Sequence, residues 1–213
     1  MEEITRRGFA LVLASPSGAG KTTLSRLLSR ADQDIQLVVS STTRPKRLSE
    51  IDGEHYHFVS YCEFCALRDT GAFLECAEVH GHYYGTPKKL VTEYLNNGKD
   101  VLLAIDWQGV SQIYSKMSDD VVSILVLPPT MSELARRLRS RGEDNEEVIK
   151  SRLSDARVDI AKWQCFDYVI VNRELKQTGV GINSILQAER LRRKRVVGLD
   201  VFISSLLQQN SVS

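Results

Sequence analysis

A chain of 213 residues is long for one domain and short for two, so one domain carrying inserted segments is expected. Hydrophobic residues at 42% and charged residues at 26% exclude a disordered chain and fit a protein with a buried core. The 28 lysines and arginines nearly cancel the 27 acids, so the net charge of +1 excludes capture of polyanions by overall charge, and any anion site must be local.

The first apolar run, residues 9–14, is shorter than the ~7–15 residues of a secretory signal core. No apolar segment reaches the ~18–20 residues of a membrane span. A cytoplasmic enzyme is expected. The run reads as a strand buried on both faces. A small-residue turn follows, and then Leu24, Leu27 and Leu28 fall on one helical face. Residues 36–40 read as a second strand. Residues 41–52 are polar, with Arg44 and Arg47 on either side of Pro45. Residues 56–59 read as a short strand, 61–68 as a helix, 73–79 as a strand and 80–86 as a turn. Helical spacing over 87–97 stops at Asn97-Gly98.

Residues 100–106 read as a buried strand ending in the carboxylate of Asp106, and 121–127 as another. Helices are predicted over 131–140 and from about 146 to 162, with a break at Arg141-Gly142. Residues 168–172 read as the last strand and 182–193 as a helix. The stretch from 196 reads as a further helix with a frayed polar end. The basic run 190–195 fits a solvated helix face better than a nucleic-acid patch. Cys62 and Cys65 have a metal-site spacing but no second pair, so they read as two thiols on a helix.

Strands alternating with helices predict a three-layer α/β/α fold with a mostly parallel sheet. Residues 41–98 break that rhythm with short strands and polar turns. They read as an inserted unit, with antiparallel strands.

The chemistry starts in Ser15-Pro16-Ser17-Gly18-Ala19-Gly20-Lys21-Thr22-Thr23. Between a buried strand and a helix, this is the context of a phosphate-binding loop, whose backbone N–H groups cradle phosphate oxygens. Lys21 would reach the terminal phosphates and Thr22 would offer its hydroxyl to Mg²⁺. The first position is Ser15 where the strict pattern has glycine. Asp106, at a strand's C-terminal end, has two readings: a metal, water or acceptor contact, or the cap of a following helix. Arg137 and Arg141 are one helical turn apart, and Arg152 follows. Arginine forks suit phosphate oxygens, though any one of these is an ordinary surface residue taken alone. Glu75, between Leu74 and Cys76, reads equally as a ligand or as a solvent-facing strand residue.

The motifs SPSGAGKTT, VSSTTRPKR, DGEHYHF, AFLECAEVHGHYYGT, AIDWQG, RRLRSRG and YVIVN together resemble guanylate kinases of the bacterial type, over roughly residues 8 to 195. The resemblance implies Mg²⁺-dependent transfer of the ATP γ-phosphoryl group to GMP, with dGMP as a second acceptor, in purine nucleotide metabolism and GMP recycling. It implies a core (about 8–40, 99–128 and 156–213), a small mixed α/β GMP-binding insertion (about 41–98) and a helical lid (about 129–155). ATP would take residues 15 to 23 and Asn172, with Asn172 on the adenine side. GMP would take Ser40, Arg44, Arg47, Tyr56, Glu75, Tyr84, Gly85, Thr86 and Asp106. Arg44, Arg47, Tyr56 and Tyr84 would hold its phosphate, and Glu75 would accept from the guanine N1–H and amino group. Lys21, Arg137, Arg141, Arg152 and Asp106 would be the catalytic set, with Asp106 reaching Mg²⁺ through water.

Three positions depart from the family's pattern. Ser15 stands where members carry glycine or alanine. Ala104 stands where the family's Asp-Ile-Asp triplet, here Ala104-Ile105-Asp106, has its first acid. Arg173 follows Asn172 where the family often has Asp. A non-catalytic interaction module of the same fold is the competing expectation, and Lys21, Thr22 and the three arginines argue against it. A kinase for another nucleoside monophosphate is countered by Glu75 and the Tyr-Tyr-Gly-Thr stretch.

Overall fold

The structure, a computed structural model, describes residues 4–79, 81–140, 142 and 145–209. A short strand β1 (Thr5–Arg6) precedes the apolar run, which forms β2 (Ala10–Ala14); α1 (Lys21–Ala31) and β3 (Ile35–Leu37) follow. Then come β4 (Ser41–Thr42), β5 (His57–Phe58), α2 (Tyr61–Asp69), β6 (Phe73–Val79), β7 (His82–Pro87) and α3 (Lys88–Asn96). The next elements are β8 (Asp100–Leu103), α4 (Trp107–Met117), β9 (Val121–Leu127), α5 (Met131–Ser140) and α6 (Glu146–Ala161). β10 (Tyr168–Val171), α7 (Leu175–Arg190), β11 (Val196–Val197) and α8 (Leu199–Gln209) come last.

β10, β9, β2, β8 and β3 lie in that order in a parallel sheet. The side-chain alternation of β2 explains the layering. Ala10, Val12 and Ala14 pack with Val91 and Leu95 of α3 and Val110 and Ile113 of α4. Leu11 and Leu13 pack on the other face with Leu24 and Leu28 of α1 and Ile182 and Leu186 of α7. Both faces are covered, so the strand is apolar throughout rather than alternating. The predicted three-layer α/β/α fold is observed. A third cluster ties α5 (Leu134, Leu138) and α6 (Ile149, Ala156) to Ala19 in the glycine turn.

A separate four-stranded sheet, in the order β5, β4, β7, β6, occupies the predicted insertion. It is mixed, because β4 pairs parallel with β5 and antiparallel with β7. The turn expected over 80–86 is a strand from His82 onward, paired antiparallel with β6; His80 lies outside the described residues. Tyr83 and Tyr84 carry strand propensity that the neighbouring glycines mask. Gly85 serves packing there, since a Cβ would lie 2.8 Å from the Phe73 ring.

Three boundaries differ from expectation. The second strand ends at Leu37 rather than residue 40, and the strand at 100–106 ends at Leu103, because the chain leaves the sheet to line a cleft. The helix expected from residue 182 starts at Leu175. Gly179 and Gly181 hid its first turns, yet Gly179 admits Leu27 of α1, whose Cδ2 would lie 3.2 Å from a Cβ there.

The basic run at 190–195 is solvated only in part: Arg192, Arg193 and Lys194 are exposed, whereas Arg190 and Arg195 turn inward. Arg190 donates to Asp32 at 2.6 Å and to Asp100 at 2.7 Å. Arg195 is 2% exposed, lies 4.1 Å from the Phe9 ring centre and donates to Glu189 at 3.2 Å. Asp32 and Asp100 lie far away in sequence and supply counter-charge only after folding. Removing Glu189 would leave the buried Arg195 without its carboxylate. Glu189→Ala is therefore expected to lower unfolding stability by about 3–5 kcal/mol in a urea titration. A loss below ~1 kcal/mol would show that the pair is not needed to offset the burial of Arg195.

Candidate active site

The turn between β2 and α1 is shaped by its glycines. Gly18 has φ +93° and Gly20 φ +109°, the left-handed region that favours glycine. A Cβ on Gly20 would also lie 2.6 Å from Asn172 Nδ2. The Ser15 hydroxyl donates to the Pro16 carbonyl at 3.0 Å. Lys21, Thr22 and Thr23 open α1, so their N–H groups have no acceptor earlier in the helix. The positive helix end adds to this anion-binding geometry.

Asn172 and Arg137 brace the turn from behind. Asn172 is 3% exposed; its Nδ2 donates to the Ala19 carbonyl at 2.8 Å and its Oδ1 accepts from the Thr178 hydroxyl at 3.0 Å. Its amide is thus spent on the loop rather than held out toward a ligand. Arg137 pairs with Glu133 at 2.8 Å and donates to the Asn172 carbonyl at 3.2 Å. Arg141 lies outside the described residues.

A cleft of about 1040 Å³ opens in front of the turn. Ser15, Pro16, Ser17, Gly18, Gly20, Lys21, Thr22 and Thr23 form one wall. Ser40, Arg44, Arg47, Tyr56, Glu75 and Tyr84 form another. Ala104, Ile105 and Asp106 lie between them, and Arg152, Asp155 and Asp159 of α6 close a further side. Thr86 stands behind Glu75 and is buried, as is Ala19 beneath the turn. Gly85, Arg137 and Asn172 do not line the cleft.

Lys21 Nζ donates to the Ile105 carbonyl at 3.0 Å. Burial lowers its pKa, and nearby Asp106, Asp159 and Glu75 oppose that shift. Asp106 caps α4, its Oδ1 accepting from Gly109 N–H at 3.0 Å, so the capping reading is realised while the residue also faces the cleft. Ala104 beside it brings no second acid.

Glu75 is 2% exposed, which overturns the solvent-facing alternative. The Thr86 hydroxyl donates to its Oε1 at 2.6 Å and lies 3.3 Å from the Ser40 hydroxyl. Burial pushes the Glu75 pKa up to about 7; the Thr86 bond opposes this and the Asp106 charge adds to it. Arg44 is locked by Glu50 at 2.7 Å and lies 5.6 Å from the Tyr56 ring centre. Tyr56 meets Tyr84 edge-on at 5.7 Å, and burial raises its phenol pKa, keeping it a neutral donor. Arg152 Nη1 donates to the Ser17 hydroxyl at 3.4 Å.

Glu50 and Asp159 are among the cleft residues that the sequence reading missed. Glu50 orients Arg44 and also accepts from the Arg47 N–H at 2.9 Å; no periodicity marks it, because it lies in a loop. Asp159 faces Lys21 and Asp106, and burial raises its pKa to about 6. Its spacing from Arg152 and Asp155, seven and four residues, puts the three on one helix face and was a readable signal. Among the described residues, no group of three or more His, Cys, Asp or Glu side chains converges as a metal cage. Cys62 and Cys65 are free thiols at α2. No described helix is long and apolar enough to cross a membrane.

A family model described as guanylate kinase matches residues 7–189. The chain is 54% identical over 207 residues to a guanylate kinase of Rhizobium etli, covering 97% of this chain and 94% of the relative. It is 51% identical over 208 residues to one from Rhizobium meliloti, covering 98% and 95%. The crystal structure of guanylate kinase from Anaplasma phagocytophilum superposes with a TM-score of 0.83 at 37% identity, covering 95% of this chain and 97% of that one.

Proposed function

This chain belongs to the guanylate kinase family, and from that premise we propose how its cleft joins ATP to GMP. The reaction is phosphorylation of GMP to GDP with ATP. One observation carries the residue assignment: the lysine-bearing turn and the buried Glu75 line the same cleft.

ATP lays its phosphates on the N–H groups at the start of α1, with Lys21 at the β- and γ-phosphates. Hydroxyl and carboxylate oxygens are hard donors, and Mg²⁺ keeps waters and substrate phosphates, so it needs only one or two protein oxygens. Thr22 and, through water, Asp106 fit that need. When bound, the ion neutralises charge between the β- and γ-phosphates. Asn172 and Arg137 hold the turn in shape, the first through the Ala19 carbonyl.

GMP enters from the side of the four-stranded sheet. Arg44, Arg47, Tyr56 and Tyr84 take its phosphate. Ionised Glu75 accepts from guanine N1–H and the amino group, with the Ser40 and Thr86 hydroxyls beside the base. Adenine offers an acceptor at N1, so it would leave a buried carboxylate unpaired. A GMP phosphate oxygen attacks the γ-phosphorus, the bond to the bridging oxygen breaks, and ADP departs. No side-chain nucleophile is required; positioning and charge neutralisation suffice. Residues 41–98 act as the GMP-binding unit and 129–155 as a lid that brings Arg141 and Arg152 to the transferring group and excludes water, while Arg137 stays on the Asn172 carbonyl behind the turn.

A coupled ADP-release assay with GMP, dGMP, AMP, CMP and UMP tests the assignment. Turnover is expected with GMP first and dGMP second. Silence with all five would support the interaction-module reading, and preference for AMP would remove Glu75 as the base reader. Asn172→Ala is expected to raise KM for ATP roughly tenfold, with KM for GMP unchanged. Equal rises in both would show that Asn172 serves the whole fold rather than the turn.

A further inference from the structure

β6, which carries Glu75, is the edge strand of its sheet. An edge strand presents unpaired N–H and C=O groups, and here they turn to helix α4 rather than to another strand. Gln112 reads Cys76 from both sides: its Oε1 accepts from the Cys76 N–H at 3.0 Å and its Nε2 donates to the Cys76 carbonyl at 2.6 Å. One turn further on, Lys116 Nζ donates to the Leu74 carbonyl at 2.5 Å. The two backbone residues flanking Glu75 are therefore both fastened to α4. One turn earlier, Gly109 leaves room for the carboxylate itself: a Cβ there would lie 2.7 Å from Glu75 Oε2.

The other end of the same helix reaches the phosphate side of the cleft. Asp106 caps α4, and Lys21 donates to the carbonyl of the preceding Ile105. A side-chain amide bonded to both backbone groups of one residue fixes distance and orientation together, as a neighbouring strand would. Gln112 thus substitutes for the missing strand at the point where the purine must be read.

We propose that Gln112 and Gly109 are positioning residues for guanine selectivity, setting from α4 how far the Glu75 carboxylate stands from the phosphate-binding turn. This rests on Glu75 being the guanine reader. Neither residue touches the nucleotide; each acts through Glu75.

The test measures KM and kcat for GMP, AMP and ATP in Gln112→Met, Gly109→Ala and Glu75→Gln, with thermal melts to confirm folding. Gln112→Met keeps the side-chain length and removes both hydrogen bonds. It is expected to raise KM for GMP roughly tenfold, to lower the GMP/AMP ratio of kcat/KM by a similar factor and to leave KM for ATP unchanged. Gly109→Ala should give the same pattern by crowding the carboxylate, and it stands in if Gln112→Met does not fold. In a Glu75→Gln background, Gln112→Met should change the GMP/AMP ratio by less than about twofold. A folded Gln112→Met or Gly109→Ala with the wild-type ratio overturns the proposal, as do equal rises in KM for GMP and ATP. If Glu75→Gln alone leaves the ratio unchanged, the base-reader assignment fails first and the proposal falls with it.

Discussion

Lys21→Ala is expected to lower kcat by ~10³-fold or more without loss of folded protein. On the proposed assignment, developing negative charge on the transferring phosphoryl meets Lys21 within the turn, and a preorganised charge in a water-poor site is worth several kcal/mol to the transition state. The ammonium is held to a backbone carbonyl, that of Ile105, at 3.0 Å. Burial lowers the Lys21 pKa, so the charged form is disfavoured in the folded state relative to the unfolded chain. That penalty is fully present below the folded pKa and disappears above the unfolded value. At neutral pH alanine removes it, and the melting temperature should hold or rise while turnover collapses. Steady-state kinetics paired with thermal melts separates the two effects. A kcat near wild type would remove the turn from the chemistry; a drop in melting temperature of more than ~5 °C would assign the loss to stability instead.

Glu75→Gln carries the second large effect, with opposite signs for activity and stability. The Glu75 pKa of about 7, raised by burial, lies above the ordinary carboxylate value of 4.5. Below pH 4.5 the group is protonated in both states and costs nothing. Stability is lost as pH rises from there through about 7, and above that the penalty is constant at on the order of 3 kcal/mol. Glutamine can still accept from Thr86 and carries no charge, so Glu75→Gln should raise stability at pH 8 and leave it nearly unchanged at pH 4. Guanine's two donors need the ionised carboxylate, so KM for GMP in the wild type should fall as pH rises from 6 to 8. In Glu75→Gln that pH dependence should flatten and kcat/KM for GMP should drop by ~10²-fold or more. A wild-type GMP/AMP ratio in this variant would contradict the assignment; unchanged stability at pH 8 would contradict the cost of burying the charge.

Much of this was legible because local rules and tertiary packing agree. β2 reads as a buried strand since both its faces are covered, and the turn's glycines occupy positions of positive φ. Where the reading stopped, the deciding partners lay far away in sequence. Leu74 and Glu75 point to opposite faces of β6 and both are buried, while Glu78 further along is exposed, so alternation alone does not tell on which side Glu75 lies. Asn172 stands at a strand end like a ligand residue, but Ala19, 153 residues earlier, claims its amide. Arg190 and Arg195 looked solvated because Asp32, Asp100 and the Phe9 ring that accompany them come from distant elements. Asp106 had two readings, and the fold realises the cap while keeping the residue at the cleft.

If one cleft holds both nucleotides, with ATP on the Lys21 turn and GMP at Glu75, a ligand carrying both bases should span it. Calorimetric titration with adenosine and guanosine joined through five phosphates tests it most directly. One molecule should bind per chain, more tightly than ATP or GMP alone, with Glu75→Gln and Lys21→Ala each weakening the binding. Two molecules per chain, or an affinity no better than that of the separate nucleotides, would contradict it.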